Sequence, residues 1–371
     1  MMEYRELPHG GERISVIGLG GAQLGATEHH EAVATYVEAF QSGINFIDLA
    51  AGHAPLFSAL GEAMREIGPT TREQLYFQMH FGANYVSPQA EYGWTTNLDA
   101  MKRSIDWELS VLGTDYIDFG FIHCIDEASD LNQYVASGAL DYVRSLHDQG
   151  IIHHIGLSTH NPELANRVLD LGIIDLMMFS INPVYDYGKG TYGLGTSAER
   201  QALYQRCVDE GVGISVMKAF AGGQLLDATR SPFHQALTRY QCLQYALDTP
   251  GVVCVVPGVR DRKDLHELLG YFEASDKERD YSVLSDLAPE NAAGRCVYCN
   301  HCAPCPQGIH IGLVNKYYDL TLAGDVLARD HYAKLERKAG DCVSCGHCNS
   351  RCPFGVDQVA RMHEIASYFG A

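Results

Sequence analysis

The chain has 371 residues, 46% hydrophobic and 20% charged, with a formal net charge of −19. Such a composition is globular, and the acidity argues against nucleic acid and anionic membranes as partners. No apolar run approaches the roughly 18 residues of a membrane span, and Met1–Gly10 carries no apolar signal region. A reducing cytoplasm is therefore the expected location. The length suits one large domain with a smaller one attached.

Eight apolar runs follow one another along residues 1–290: Ile14–Leu19, Ile44–Leu49, Leu75–Met79, Tyr116–Ile122, Ile151–Leu157, Ile174–Ile181, Val212–Met217 and Val252–Val256. They are continuously apolar, as strands buried on both faces are. Helical patterns separate them at Glu28–Gln41, Leu56–Ile67, Leu98–Leu112, Tyr134–Gln149, Pro162–Leu171, Ala198–Glu210 and Ser231–Leu247, and one more follows at Arg262–Glu273. Eight strands, each followed by a helix, predict a (β/α)8 barrel. Gly43, Gly150, Gly172 and Gly211 each stand where a helix must stop before the next strand. The stretch Glu273–Gly294 reads as the junction, so residues 1–290 form the barrel and 291–371 a second domain.

The active site of such a barrel lies at the C-terminal ends of its strands. There the sequence places Asp48 with His53 just beyond, then His80, His123-Cys124 and His160. Histidine titrates near neutrality, so it suits acid–base work or, when neutral, metal ligation.

The tail carries the sharpest signal. It reads Cys296-x-x-Cys299-x-x-Cys302-x-x-Cys305-Pro306, then Cys342-x-x-Cys345-x-x-Cys348-x-x-x-Cys352-Pro353. The second run has the spacing of a bacterial ferredoxin-type [4Fe–4S] site, whose fourth cysteine serves the other cluster. The expected sets are Cys296, Cys299, Cys302 and Cys352 for one [4Fe–4S] cluster, and Cys342, Cys345, Cys348 and Cys305 for another. Paired zinc knuckles do not have this pattern, and disulfides would need an exported chain. Between the runs, Leu313–Lys338 reads as helix, broken at Gly324.

The runs RISVIGLGGAQLG (13–25), NFIDLA (45–50), DYIDFGFIH (115–123), IGLS (155–158) and VPGVRDRKDLHE (256–267) resemble the aldo-keto reductases. With the cysteine-rich tail, the chain is similar to the ferredoxin-fused branch of that family. The resemblance implies a (β/α)8 barrel binding NADP(H) or NAD(H) across the strand ends, and a tetrad of Asp, Tyr, Lys and His. Asp48 matches the Asp and His123 the His. The Tyr position is His53 and the Lys position is His80, so the proton donor and its charge partner are both replaced by imidazoles. For the nucleotide, the resemblance points to Gly21, Ser158, Met178, Met217, Lys218, Gly258, Arg260, Arg262, Lys263 and Glu267. Met178 and Met217 stand where the family has Gln and an aromatic. The cluster of Arg260, Arg262 and Lys263 predicts a preference for NADPH.

Three functions are open to such a chain. The first is an oxidoreductase passing electrons between clusters and a nicotinamide or small oxygen-bearing substrate, with His53 and His123 as acid–base pair, His80 on Asp48, and an external carrier of ferredoxin or flavodoxin type. The second is a non-redox lyase or isomerase with structural clusters, in which the histidines move protons; in a separate metal version of the site, His53, His80 and His123 bind one Zn²⁺ or Fe²⁺ with Asp48 in support. The third is a non-catalytic electron-transfer module.

Overall fold

The structure, a computed structural model, describes the chain apart from residues 50–52, 86–92, 189–192, 287–293, 323–327 and 371. The expected break at Gly324 and the centre of the expected junction lie outside the described residues.

An antiparallel hairpin, β1 (Tyr4–Glu6) with β2 (Arg13–Ser15), opens the chain. The barrel strands are β3 (Leu19–Gly20), β4 (Phe46–Asp48), β5 (Tyr76–Phe81), β8 (Ile117–Ile122), β9 (Ile152–Thr159), β10 (Leu176–Ser180), β11 (Gly213–Met217) and β12 (Val252–Val255); the short β6 (Ala83–Asn84) and β7 (Gly93–Trp94) append to β5. The eight are parallel and hydrogen-bonded in chain order. The ring closes where Gly18 N donates to Val255 O and Gly20 N to Pro257 O, both at 2.9 Å. Seven of the expected runs each carry one barrel strand, and the first, Ile14–Leu19, is divided between the hairpin strand β2 and the short barrel strand β3; the eight parallel strands make the expected (β/α)8 barrel.

The barrel strands are buried almost throughout, on both faces, which explains the unbroken apolar runs. Phe46, Phe119, Phe121, Leu176, Met178 and Val256 fill the barrel interior, and Leu7 and Ile14 of the hairpin join them. Arg5 ties this hairpin down by donating to the carbonyls of Leu247 (2.8 Å) and Val252 (2.6 Å).

Three helices differ from the sequence expectation. Tyr134–Gln149 divides into Ala128–Ala136 and Ala139–Asp148, because Gly138 adopts φ +79° and turns the chain between them. The helix expected from Ser231 begins at Arg239, where Thr238 and Gln241 form a reciprocal cap. Arg262–Leu269 is shorter than expected and ends in a 3-10 turn.

The helix Leu98–Leu112 buries Glu108, whose Oε1 accepts from Ser104 Oγ at 2.8 Å. Burial pushes this carboxyl from the usual 4.5 up to about 8, against the opposing Ser104 hydrogen bond. Between those pH values the folded state holds a proton that the unfolded chain has released. Folding stability from this group therefore falls as pH rises, by about 1.4 kcal/mol per pH unit. Glu108→Gln should raise the melting temperature at pH 8 more than at pH 5. Thermal unfolding at the two pH values checks this, and an equal change at both would contradict it.

The tail forms helices Ile311–Leu322, Ala328–Ala333, His347–Arg351 and Gln358–Phe369. Val314, Tyr318, Tyr332, Met362 and Ile365 make a small core with Cys302 and Cys348. The tail packs on the barrel's outer layer. His301 stacks on Tyr245 at 4.6 Å, Tyr187 meets Phe354 edge-on at 5.3 Å, and Arg351 pairs with Asp248.

Candidate active site and cluster cradle

Three of the four expected catalytic side chains form one hydrogen-bonded chain at the barrel mouth. Asp48 ends β4, His80 lies near the end of β5, and His123 follows β8. Asp48, His80 and His123 are 5%, 0% and 4% exposed, so their polar atoms must find partners inside the protein. His80 Nε2 lies 2.8 Å from Asp48 Oδ1, and His80 Nδ1 lies 2.9 Å from His123 Nδ1. A carboxylate only accepts, so His80 Nε2 carries the proton on that side. Gln78 steadies the same oxygen: its Nε2 donates to Asp48 Oδ1 at 2.8 Å, and its Oε1 accepts from Ser215 Oγ at 2.9 Å. Burial, reinforced by neighbouring His80, pushes His123 well below the usual imidazole range, so His123 is neutral.

His53 is exposed in the loop after β4, and its imidazole takes no part in this chain. Both ring nitrogens of His80 are engaged, by Asp48 and by His123. This arrangement favours proton transfer over metal ligation through His80.

A second chain lies beside the first. Asp126 Oδ2 accepts from His160 Nδ1 at 2.8 Å, and His160 Nε2 lies 2.7 Å from Lys218 Nζ. Burial alone would push Asp126 up, but hydrogen bonds from His160 and Thr159 hold its carboxyl well below the usual range. Partial burial lowers the Lys218 ammonium. Cys124 joins Asp126 and His160 as a trio close enough to share a metal ion, yet both nitrogens of His160 are already hydrogen-bonded. Cys124 and Lys218 both adopt left-handed backbone, at φ +52° and +59°. Such strain in residues with side chains gathers at functional sites.

Sequence reasoning missed Gln78 and Asp126 as parts of these chains. Gln78 was legible as a polar residue in an apolar strand. Asp126 stands in a loop, where an acidic residue carries no signal of its own.

The residues expected to meet a nucleotide are spread around the same mouth. Ser158 and Met178 are buried, at the end of β9 and within β10, and Met178 Sδ accepts from Gln78 Nε2 at 3.0 Å. Gly21 starts a 3-10 turn after β3, Met217 ends β11, and Gly258 bridges to Gly20. The cations expected to select a phosphate are mostly paired within the chain. Arg260 holds Asp264 through Nε (2.7 Å) and Nη2 (2.9 Å), and Arg262 holds Glu31 through Nε (3.1 Å) and Nη2 (3.0 Å). Glu267 meets Arg239 at 3.0 Å, and Lys263 is exposed.

In the tail, Cys305, Cys342, Cys345 and Cys348 line one small cavity. These four are one of the expected ligand sets. Cys296, Cys299, Cys302 and Cys352 lie near enough to act on one another electrostatically. None of the twelve cysteines forms a disulfide. Burial pushes Cys296 and Cys348 up to about 11, and Cys299 and Cys302 rise well above the usual thiol value, from burial first and from neighbouring sulfurs after it. Crowded buried thiols ionise only when a cation is supplied, so the set of Cys296, Cys299, Cys302 and Cys352 fits iron ligation by its burial, and the other by the four thiols that line one cavity.

The chain belongs to the aldo/keto reductase family, whose model matches residues 16–239. A 4Fe-4S dicluster domain matches residues 295–357. Among curated proteins, L-galactose dehydrogenase of Arabidopsis thaliana is 26% identical over 246 residues, which span 63% of this chain and 70% of that protein. L-glyceraldehyde 3-phosphate reductase of Escherichia coli K12 is 26% identical over 178 residues, 46% of this chain and 49% of the relative. An aldo-keto reductase from Bacillus halodurans in its holo form superposes with a TM-score of 0.60 at 19% identity, over 75% of this chain and 94% of that one; this likeness shows the fold. The chain is thus an oxidoreductase of the aldo/keto reductase family carrying a 4Fe-4S dicluster domain. No helix among the described residues is long and apolar enough to cross a membrane.

Proposed function

We propose that the enzyme interconverts a hydroxyl and a carbonyl on a small substrate at the barrel mouth, and that its tail holds two [4Fe–4S] clusters exchanging those electrons with an external carrier. Bound at the mouth, a nicotinamide supplies or takes a hydride, while clusters handle single electrons. The single observation that carries the chemistry is the Asp48–His80–His123 chain.

The chain's own residues handle the proton. Neutral His123 presents Nε2 as acceptor to a substrate hydroxyl. As it takes that proton, its Nδ1 passes one to His80 Nδ1. His80 becomes the imidazolium, and Asp48 holds the new cation. In reverse, the same path delivers a proton to a carbonyl oxygen. The relay supplies what tyrosine and lysine supply elsewhere in the family. His53, at the family's tyrosine position, has only that position to support an acid role; we assign it to the rim, shielding the substrate. Comparing His123→Ala with His53→Phe tests the assignment. The first should lower turnover by about 10²-fold; the second should lower it by no more than about tenfold. The reverse ranking would move the acid role to His53. Free thiols poised for iron are kept in reducing surroundings such as a cytoplasm.

NADPH is the favoured nucleotide, on Arg260, Arg262 and Lys263, but its phosphate must compete with Glu31 and Asp264. The hydrogen bonds from Arg262 hold Glu31 below the usual carboxyl range, so the competitor is charged. Glu31→Gln should therefore tighten NADPH by about twofold to fivefold and leave NADH unchanged. Calorimetric titration with both nucleotides checks this. Equal gains would remove Arg262 from phosphate selection.

A further inference from the structure

The two cysteine sets differ in where they lie. Cys299 and Cys352 belong to the apolar cluster that continues into the barrel core, and Cys299, Cys302 and Cys352 are 8%, 5% and 4% exposed. Tyr187 of the barrel donates from its hydroxyl to the carbonyl of Pro353, next to Cys352, at 3.4 Å, and its ring meets Phe354 edge-on, so this set faces the barrel. The other set opens outward. Cys345 is exposed, and Val343 beside it is 59% exposed, an apolar side chain presented to solvent next to a cluster ligand. Ser344 between them adopts φ +57°, and its hydroxyl lies 2.8 Å from His363 Nε2, which fixes the loop in its outward course.

Charge singles out the same region. Residues 291–371 hold eight Lys/Arg and seven Asp/Glu, so these side chains sum to +1 against −20 for the remaining residues; two oxidised [4Fe–4S] clusters with their eight thiolates add about −4, which still leaves the tail the less acidic part of the chain for its length. Exposed Lys334 and Arg337, with half-buried Lys338, lie directly before Cys342. The Arg337 stem runs against Gly308, in the loop that follows Cys305. Glu336 and Asp341 are the acidic groups of this segment, and Arg337 Nη1 is 3.6 Å from Asp341 Oδ1. An acidic protein approaching this molecule is repelled by the barrel and finds its least repulsive approach here.

We infer that the Val343–Cys345 face is the docking surface for a small acidic one-electron carrier protein, with the outer cluster as the port and the inner cluster as the link to the barrel. Each encounter moves one electron: the carrier's reduced centre is oxidised by one, the outer cluster is reduced by one, and no bond or proton is exchanged. The inference rests on the two-cluster reading of the tail.

The test uses the anaerobically reconstituted full chain. Iron analysis and reduction by dithionite come first; about four irons, or an outer set without iron, would overturn the cluster reading and the docking with it. On protein carrying both clusters, reduction by a purified acidic ferredoxin is followed by stopped flow across ionic strengths, and binding of the oxidised ferredoxin by calorimetry. The rate should fall with salt, and Lys334→Glu with Arg337→Glu should lower it by about tenfold or more while dithionite reduction stays the same. A rate indifferent to salt in the unaltered protein would overturn the docking surface alone, as would equal rates in the charge-reversed one. So would faster reduction by a basic carrier.

Discussion

Cys302→Ala should bring the iron content of the reconstituted protein from about eight to about four per chain, the quota of one cluster. Cys302 is one of four thiols in the inner set, and it also stands in the tail's core beside Ile309, Ile311, Val314 and Met362. That core is small. A domain of this size buries too little surface to fold securely without a staple, and iron–thiolate bonds contribute that stability directly. The variant should therefore also loosen the tail without unfolding it, seen as faster proteolysis on its side of Gly294 than in the unaltered protein. Cys124→Ala, a thiol at the barrel mouth, should leave iron unchanged. An unchanged iron content in Cys302→Ala would remove this residue from the ligand set.

The relay gives the second large effect. His80→Leu should lower turnover by about 10²-fold or more while both clusters are retained, because His123 then has nowhere to send its proton. The pH profile distinguishes a relay from a packing role. His123 is held well below the usual imidazole range by burial first and by His80 next. The acidic limb of the rate profile should therefore lie well below pH 6.5, the usual histidine value. Removing His80 removes one lowering cause, so the limb should move up in the variant. A limb that stays in place would show that His80 does not act on His123.

The barrel was legible because a strand buried on both faces leaves an unbroken apolar run, and eight such runs leave little choice of fold. Helix ends were less legible. Ser137-Gly138 looked like an ordinary interruption of an amphipathic pattern, yet the left-handed Gly138 makes two helices of one. The cluster ligands were readable from spacing alone, since short loops must bring several thiols to one point. The Asp48–His80 contact followed from family position, and its extension to His123 did not: it depends on two rings from adjacent strands turning toward each other, with centroids 4.7 Å apart. The phosphate cations were visible as a group, but their carboxylate partners were not, because Glu31 lies 231 positions from Arg262.

On the proposed function, the barrel and the clusters share electrons. Anaerobic titration of the fully loaded protein with NADPH, followed by electron paramagnetic resonance of the clusters, tests it most directly. Signals of reduced [4Fe–4S] clusters should grow with each addition of NADPH. Turnover of a substrate with clusters that stay oxidised throughout would contradict it, and would assign them a structural part beside a barrel that moves hydride and proton without them.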